Sequence, residues 1–214
     1  MVKWIKDLGL SEMILVGHSM GGVICQYVAE ALGREAKAFF NLEGNLGRND
    51  CTFSARVAAH TEEEFEVGGF KRFKMELKEA VQEEGSMGLR NYYQNVLKAD
   101  PRSYYLSSVS LVKESCKGNV RERFASLPIK KWYVFGERSI ALATKQFLDK
   151  RHIPYFIVPE SGHFMICLWG HLKKHSDGQG VVKRWIRRGL SVGLTKACGD
   201  QICWARKSWI TRLV

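Results

Sequence analysis

Ser19 stands in the run Gly17-His18-Ser19-Met20-Gly21-Gly22, directly after the apolar stretch Ile14 to Val16. A serine hydroxyl becomes a useful nucleophile only where it is held proud of the backbone and a base can reach it. The sharp turn that does this crowds the residues two before and two after the serine, and Gly17 and Gly21 occupy those places. Gly22 leaves further room for a following helix to approach a sheet. Two further residue types bear on it: a histidine, His163 in Ser161-Gly162-His163, and a carboxylate, Glu43, placed where it could orient a histidine. Serine, histidine and a carboxylate together can carry acyl transfer, with the imidazole taking the serine proton and the carboxylate stabilising the imidazolium.

The surrounding pattern places these residues at element boundaries. The run Ile14 to Val16 reads as a buried strand, and Val23 to Leu32 as an amphipathic helix after the serine. Residues 2 to 9 form a short helix with Trp4, Ile5 and Leu8 on one side, stopped by Gly9. After Gly33, Ala36 to Leu42 reads as a strand that brings Glu43 to its carboxyl end, where open parallel sheets collect their sites. Further along, Lys131 to Phe135 is a strand, Ala141 to Leu148 a helix and Tyr155 to Val158 a strand, which puts His163 just past a strand end. This alternation is that of a parallel α/β sheet.

Residues 44–129 break the alternation. Phe70, Phe73, Leu77 and Val81 recur at helical spacing after Gly68-Gly69, and Asn91 to Leu97 and Tyr104 to Val112 read as further helices, with Pro101 a helix-starting residue. The acidic cluster Glu62, Glu63, Glu64 and Glu66 reads as a solvated face.

Length and composition set outer bounds. The 214 residues, 45% hydrophobic, suffice for one domain with a real core. No apolar run is long enough to cross a bilayer, and Met-Val-Lys-Trp-Ile-Lys-Asp carries no apolar signal region, so a cytoplasmic location is expected. Cys25, Cys51, Cys116, Cys167, Cys198 and Cys203 show no paired spacing for a metal or a dithiol centre, and Cys25 reads as a reduced core residue. The formal charge of +11 is uneven: ten of the 33 Lys+Arg but two of the 22 Asp+Glu fall in residues 166–214. That segment includes Lys183-Arg184-Trp185-Ile186-Arg187-Arg188, and residues 181–190 could form an amphipathic helix on Val182, Trp185, Ile186 and Leu190. Basic residues interleaved with tryptophan can bind nucleic acid or anionic membrane, which leaves a second reading open. In it the chain is a non-catalytic fragment or interaction protein that works through its basic tail.

The Gly-His-Ser-Met-Gly-Gly run, in its strand-to-helix context, resembles the nucleophile elbow of the α/β-hydrolase superfamily. The resemblance covers roughly residues 1–165. It implies a partial α/β-hydrolase fold, with residues 1–43 and 130–165 as the mostly parallel core, 44–129 as a helical cap and 166–214 as a divergent basic segment. It implies a Ser19 nucleophile, a His163 base in a Gly-His-Phe loop, and Met20 N–H as one oxyanion donor. In this superfamily the acid often follows the penultimate strand, but the closest position here is Ser139, which has no carboxylate. A variant of the pattern places it after the strand that follows the nucleophile helix. Glu43 matches that place, with Glu137 as the alternative acid.

The elbow usually follows the fifth of eight strands, so about four strands are expected to be absent from the front. Their loss would remove neighbours of the elbow strand and the second oxyanion donor, and so impair activity. Retention of serine separates the chain from relatives with an aspartate nucleophile, the haloalkane dehalogenases and epoxide hydrolases. The implied substrate is a small acyl ester or related carbonyl compound, with no cofactor and no metal. His18, beside the nucleophile, points elsewhere across the turn and is expected to pack or to hydrogen-bond in a loop.

Overall fold

The computed structural model describes residues 1–10 and 12–165. In chain order these form α1 (Val2–Asp7), β1 (Met13–His18), α2 (Met20–Leu32), β2 (Ala36–Leu42), α3 (Thr52–Val57), α4 (Glu62–Glu64), α5 (Phe70–Glu84), α6 (Met87–Val96), α7 (Pro101–Cys116), α8 (Val120–Ser126), β3 (Lys130–Gly136), α9 (Leu142–Lys150) and β4 (Tyr155–Val158). The basic stretches of residues 166–214, and the amphipathic helix expected at 181–190, lie outside the described residues.

The four strands form one parallel sheet in the order β1-β2-β3-β4. Strands laid down in sequence with crossovers of one hand send their connecting helices to one face. That face holds the main core. Leu15, Phe39, Tyr133 and Phe135 of the strands pack with Val28 and Ala29 of α2, Val120 and Phe124 of α8, and Leu148 of α9. Alternation along the strands turns Ile14, Val16, Phe40, Trp132, Val134 and Phe156 to the opposite face, where they are half-buried. Phe40 and Trp132 stack there with centroids 4.8 Å apart. The sheet is therefore the α/β layer that the sequence implies, and β1 lies at its edge among the described strands.

The elements between β2 and β3 are all helical. A second cluster joins Val57, Phe65, Phe70, Phe73, Leu77, Leu89 and Val96, and Tyr92, Tyr104 and Phe164 pack against it. The helical spacing of Phe70, Phe73 and Leu77 thus marks the buried stripe of α5. Glu62–Glu64 starts a helix: the Thr61 hydroxyl accepts from Glu64 N–H at 3.2 Å, while Glu64 Oε2 accepts from Thr61 N–H at 2.8 Å. A π-helical turn at Phe65–Gly69 carries the chain on into α5. At the start of α7, Asp100 Oδ1 accepts from Ser103 N–H at 2.8 Å with Pro101 in the first turn. Not all of the helical segment belongs to this second cluster, because α8 and Leu111 of α7 pack on the sheet.

The N-terminal helix differs in its contacts. Of the three apolar residues expected on one side, only Ile5 is buried, while Trp4 and Leu8 are exposed. A six-residue helix has less than two full turns with which to bury a stripe, and Val2 joins Ile5 at the core instead.

Candidate active site

Ser19 is the N-cap of α2, with φ 52° and ψ −126°. A non-glycine residue in this region costs about 1–3 kcal/mol, and such strain persists where surrounding structure enforces it. Here the enforcement comes from two sides. Ser19 N–H donates to Leu42 O of the neighbouring strand at 3.1 Å, and the elbow closes so tightly that a Cβ on Gly17 would lie 2.4 Å from Gly21 O. The expected crowding of Gly17 and Gly21 across the serine is thus present in the backbone. Gly22 serves the approach of helix to sheet, since a Cβ there would stand 2.2 Å from Asn41 Oδ1 and 2.6 Å from Gly44 Cα.

Glu43 follows directly on Leu42 and also has a positive φ, 45°. Its amide donates to Val134 O at 3.0 Å, which extends the β2–β3 ladder by one bond past the end of β2. The side chain is 6% exposed. Oε1 accepts from Gly136 N–H and from the Ser139 hydroxyl, each at 2.6 Å, and Oε2 lies 2.8 Å from His163 Nδ1. Three strand ends therefore converge on one carboxylate: β2 carries it, β3 and its following turn clamp it, and the loop after β4 brings the imidazole to it.

Glu137 is placed differently. Its Oε2 accepts from Glu160 N–H at 2.7 Å, so it braces the loop that leads to His163 and does not touch the imidazole. The glycines on either side of this loop make the same point about close approach, because a Cβ on Gly136 would meet Gly162 O at 2.5 Å.

His163 is also held on its far side. His18, 5% exposed, has Nε2 at 2.7 Å from the His163 carbonyl oxygen, and the two rings lie 4.8 Å apart. Burial, and then the proximity of His163, lowers the pKa of His18 to about 3, against a smaller opposing effect of the hydrogen bond. The ring is neutral at ordinary pH. Phe164, next along, stacks on Tyr92 with centroids 4.8 Å apart and contacts Phe53 at 5.9 Å. A Cβ on Gly88 would come within 2.1 Å of Phe164 O, so the helical layer sits directly on the histidine loop.

Met20 occupies the first position of α2, where a backbone N–H has no acceptor within the helix. The Ser19 hydroxyl makes no hydrogen bond to His163 or to any other described residue. Among the described residues no group of three or more His, Cys, Asp or Glu could hold a metal ion, and no helix is long and apolar enough to cross a membrane. Among the described residues Cys25, Cys51 and Cys116 form no disulfide with one another; the first two are buried and Cys116 is exposed.

Sequence reasoning missed three contributors. Ser139 appears there only as a residue lacking a carboxylate, yet it donates to Glu43. Asp50, half-buried, accepts from Leu46 N–H at 2.8 Å, Gly47 N–H at 2.9 Å and Thr144 Oγ1 at 2.9 Å, and so pins the segment after Glu43 to α9. Burial pushes the Asp50 carboxyl pKa up, against those three donors. The third contributor is the contact of Phe164 with the helical layer. Each joins residues dozens of positions apart, which leaves no local signal.

No family model and no curated protein matches the chain. Solved structures do. A thermophilic esterase from Thermogutta terrifontis aligns with TM-score 0.61 and 15% identity over 86% of this chain and 68% of its own. A carboxylesterase from the thaumarchaeon Nitrososphaera gargenis gives TM-score 0.60 and 14% identity over 87% of this chain and 68% of that one. An N-acyl homoserine lactonase complexed with N-hexanoyl homoserine gives TM-score 0.56 and 14% identity over 91% and 70%. At such identities the likeness is one of fold, and what it establishes is that the described chain is built on the fold of the α/β-hydrolases, spanning about two thirds of the length of these relatives.

Proposed function

We propose that the chain is a serine hydrolase that cleaves a small acyl ester or related carbonyl substrate, with Ser19 as nucleophile, His163 as base and Glu43 as acid. The observation that carries this reading is the 2.8 Å contact between Glu43 Oε2 and His163 Nδ1, made across 120 residues of chain, on a loop that His18 of the elbow reaches through the His163 carbonyl. A carboxylate can only accept, so Nδ1 carries the proton and Nε2 keeps its lone pair for the serine proton.

In the reaction, Ser19 Oγ would bond to the carbonyl carbon as His163 Nε2 takes its proton, and Met20 N–H would donate to the developing oxyanion. The imidazolium would then return that proton to the leaving alkoxide as its bond to carbon breaks. Water, deprotonated by the same imidazole, would hydrolyse the acyl-enzyme and regenerate the serine. Serine–imidazole hydrogen bonds commonly tighten only with substrate bound, which accommodates a Ser19 hydroxyl that makes no hydrogen bond to His163.

The chain spans about two thirds of the length of the esterases whose fold it shares. The esterase and lactonase names of those relatives support a carboxylic ester or lactone over other carbonyl substrates. Stopped-flow hydrolysis of p-nitrophenyl esters of graded acyl length tests the reading. A burst of p-nitrophenol stoichiometric with protein, followed by slower turnover and absent in Ser19→Ala, is expected. A well-folded protein with no burst and no turnover on any chain length contradicts it.

A further inference from the structure

We propose that His18 is a positioning residue: its ring ties the elbow to the main chain of His163 and so sets the separation between the Ser19 hydroxyl and the His163 imidazole. The catalytic meaning of this tie rests on the hydrolase reading above, whereas the tie itself does not.

The connection has fixed points at both ends. His18 is the last residue of β1, in register with Leu42, and is bonded covalently to Ser19, whose own amide is held by Leu42 O at 3.1 Å. The ring reaches from there to the carbonyl of His163 at 2.7 Å. A carbonyl oxygen is an acceptor only, so Nε2 of His18 carries the proton and donates it. Glu43 holds the imidazole of His163 at Nδ1 and His18 holds the main chain of the same residue. Between them they leave the His163 ring little freedom except the position that its tautomer suits.

Filling space does not account for the arrangement. A phenylalanine would occupy a similar volume, but it would leave the His163 carbonyl without this donor and the loop free to drift. A neutral ring is also the electrically suitable neighbour. The two rings are 4.8 Å apart, and deep burial keeps His18 uncharged, so no second positive charge opposes an imidazolium at position 163. An arginine or lysine donor in the same place would work against the base.

The test compares wild type, His18→Phe and His18→Gln by two measurements, with thermal melting to confirm that each is folded. The first is the rate of modification by a small alkyl fluorophosphonate, with Ser19→Ala as zero. His18→Phe is expected to slow the maximal rate about 10- to 100-fold with little change in half-saturation, the scale of loss that small displacements of a catalytic group produce. His18→Gln, whose amide N–H can reach the same carbonyl, is expected to recover most of it. Equal maximal rates for wild type and His18→Phe overturn the proposal.

The second measurement is 15N NMR of the histidine rings. It is expected to show His18 protonated at Nε2, and the Nδ1–H signal of His163 shifted or broadened in His18→Phe. A His18 protonated at Nδ1, or a His163 signal indifferent to His18→Phe, overturns the tie whatever the labelling shows. If wild type is not labelled, the hydrolase reading fails, and the NMR result alone then decides the positioning role.

Discussion

The Ser139 hydroxyl, in the turn after β3, donates to Oε1 of Glu43 at 2.6 Å, so a side chain with no carboxylate of its own steadies the one in contact with His163. Glu43 is nearly enclosed and keeps three donors, the Ser139 hydroxyl, Gly136 N–H and His163 Nδ1–H. Ser139→Ala removes one of them and leaves Gly136 N–H and His163 in place. The expected cost, that of one buried hydrogen bond to a charged group, is about 1.5–3 kcal/mol, or roughly a 10- to 100-fold fall in kcat/KM. Unchanged kinetics in this variant would show that the Gly136 amide alone suffices.

The two candidate acids separate cleanly by substitution. Glu43→Gln keeps the shape but loses the charge and the acceptor that fixes the His163 tautomer, and kcat is expected to fall about 10³- to 10⁴-fold, as for loss of the acid elsewhere. Glu137→Gln disturbs only the bond to Glu160 N–H and is expected to stay within about threefold in kcat, with a stability change near 1 kcal/mol. Steady-state kinetics on both variants, beside melting curves, give the comparison.

The elbow glycine is expected to be intolerant. The atom that a Gly17→Ala methyl would meet is the backbone carbonyl of Gly21 at 2.4 Å, which no side-chain rotation can relieve. A loss of stability of about 2–4 kcal/mol is expected, measurable as a lowered urea midpoint, with acylation lost in whatever fraction still folds.

Gly88 tests the link between the helical layer and the base. Its hydrogen faces the main chain of Phe164, one residue from His163, and a methyl at 2.1 Å from Phe164 O must push the two apart. Gly88→Ala is expected to lower kcat about 10-fold or more by displacing the imidazole. Tyr92→Phe keeps the ring that stacks on Phe164 and is expected to leave that stack in place.

Acid should weaken the fold through His18. Its pKa is about 3 when folded and about 6.5 when unfolded, so between those values the unfolded state binds a proton that the folded state refuses. This contribution is complete above about pH 6.5 and is lost progressively as pH falls toward 3, with a slope of up to about 1.4 kcal/mol per pH unit. Asp50 acts in the opposite sense, since its raised carboxyl pKa makes protonation favour the folded state. Urea midpoints from pH 7 to pH 4 should therefore fall less steeply in His18→Phe than in wild type.

Much of the framework was legible because its signals are local. The strand Ala36–Leu42 and the strand Tyr155–Val158 lie where apolar runs and flanking breakers put them, and Gly17, Ser19 and Gly21 announce a turn whose geometry only small residues permit. Glu43 and His163 could be singled out as residues at strand ends, because a parallel sheet sends its loops there. The choice between Glu43 and Glu137 was harder. Both follow strands, and what separates them spatially is that the Glu43 carboxylate turns inward to three partners while Glu137 turns along the surface to Glu160.

Contacts between distant segments left no such trace. Thr144 and Asp50 stand 94 residues apart, and His18 and His163 145 apart, so neither pair produces a spacing or a periodicity. Trp4 and Leu8 show the converse, a helical spacing whose burial depends on what lies beside it and not on the spacing itself.

The central claim is that the hydroxyl at Ser19 is activated by the His163 imidazole. Its most direct test is to treat the folded protein with a fluorophosphonate and map the product by peptide mass spectrometry, in wild type and in His163→Ala. A single adduct on Ser19 is expected, formed at least about 10³-fold more slowly in His163→Ala. An adduct on another residue, no adduct on folded wild type, or equal rates in the two proteins would contradict it.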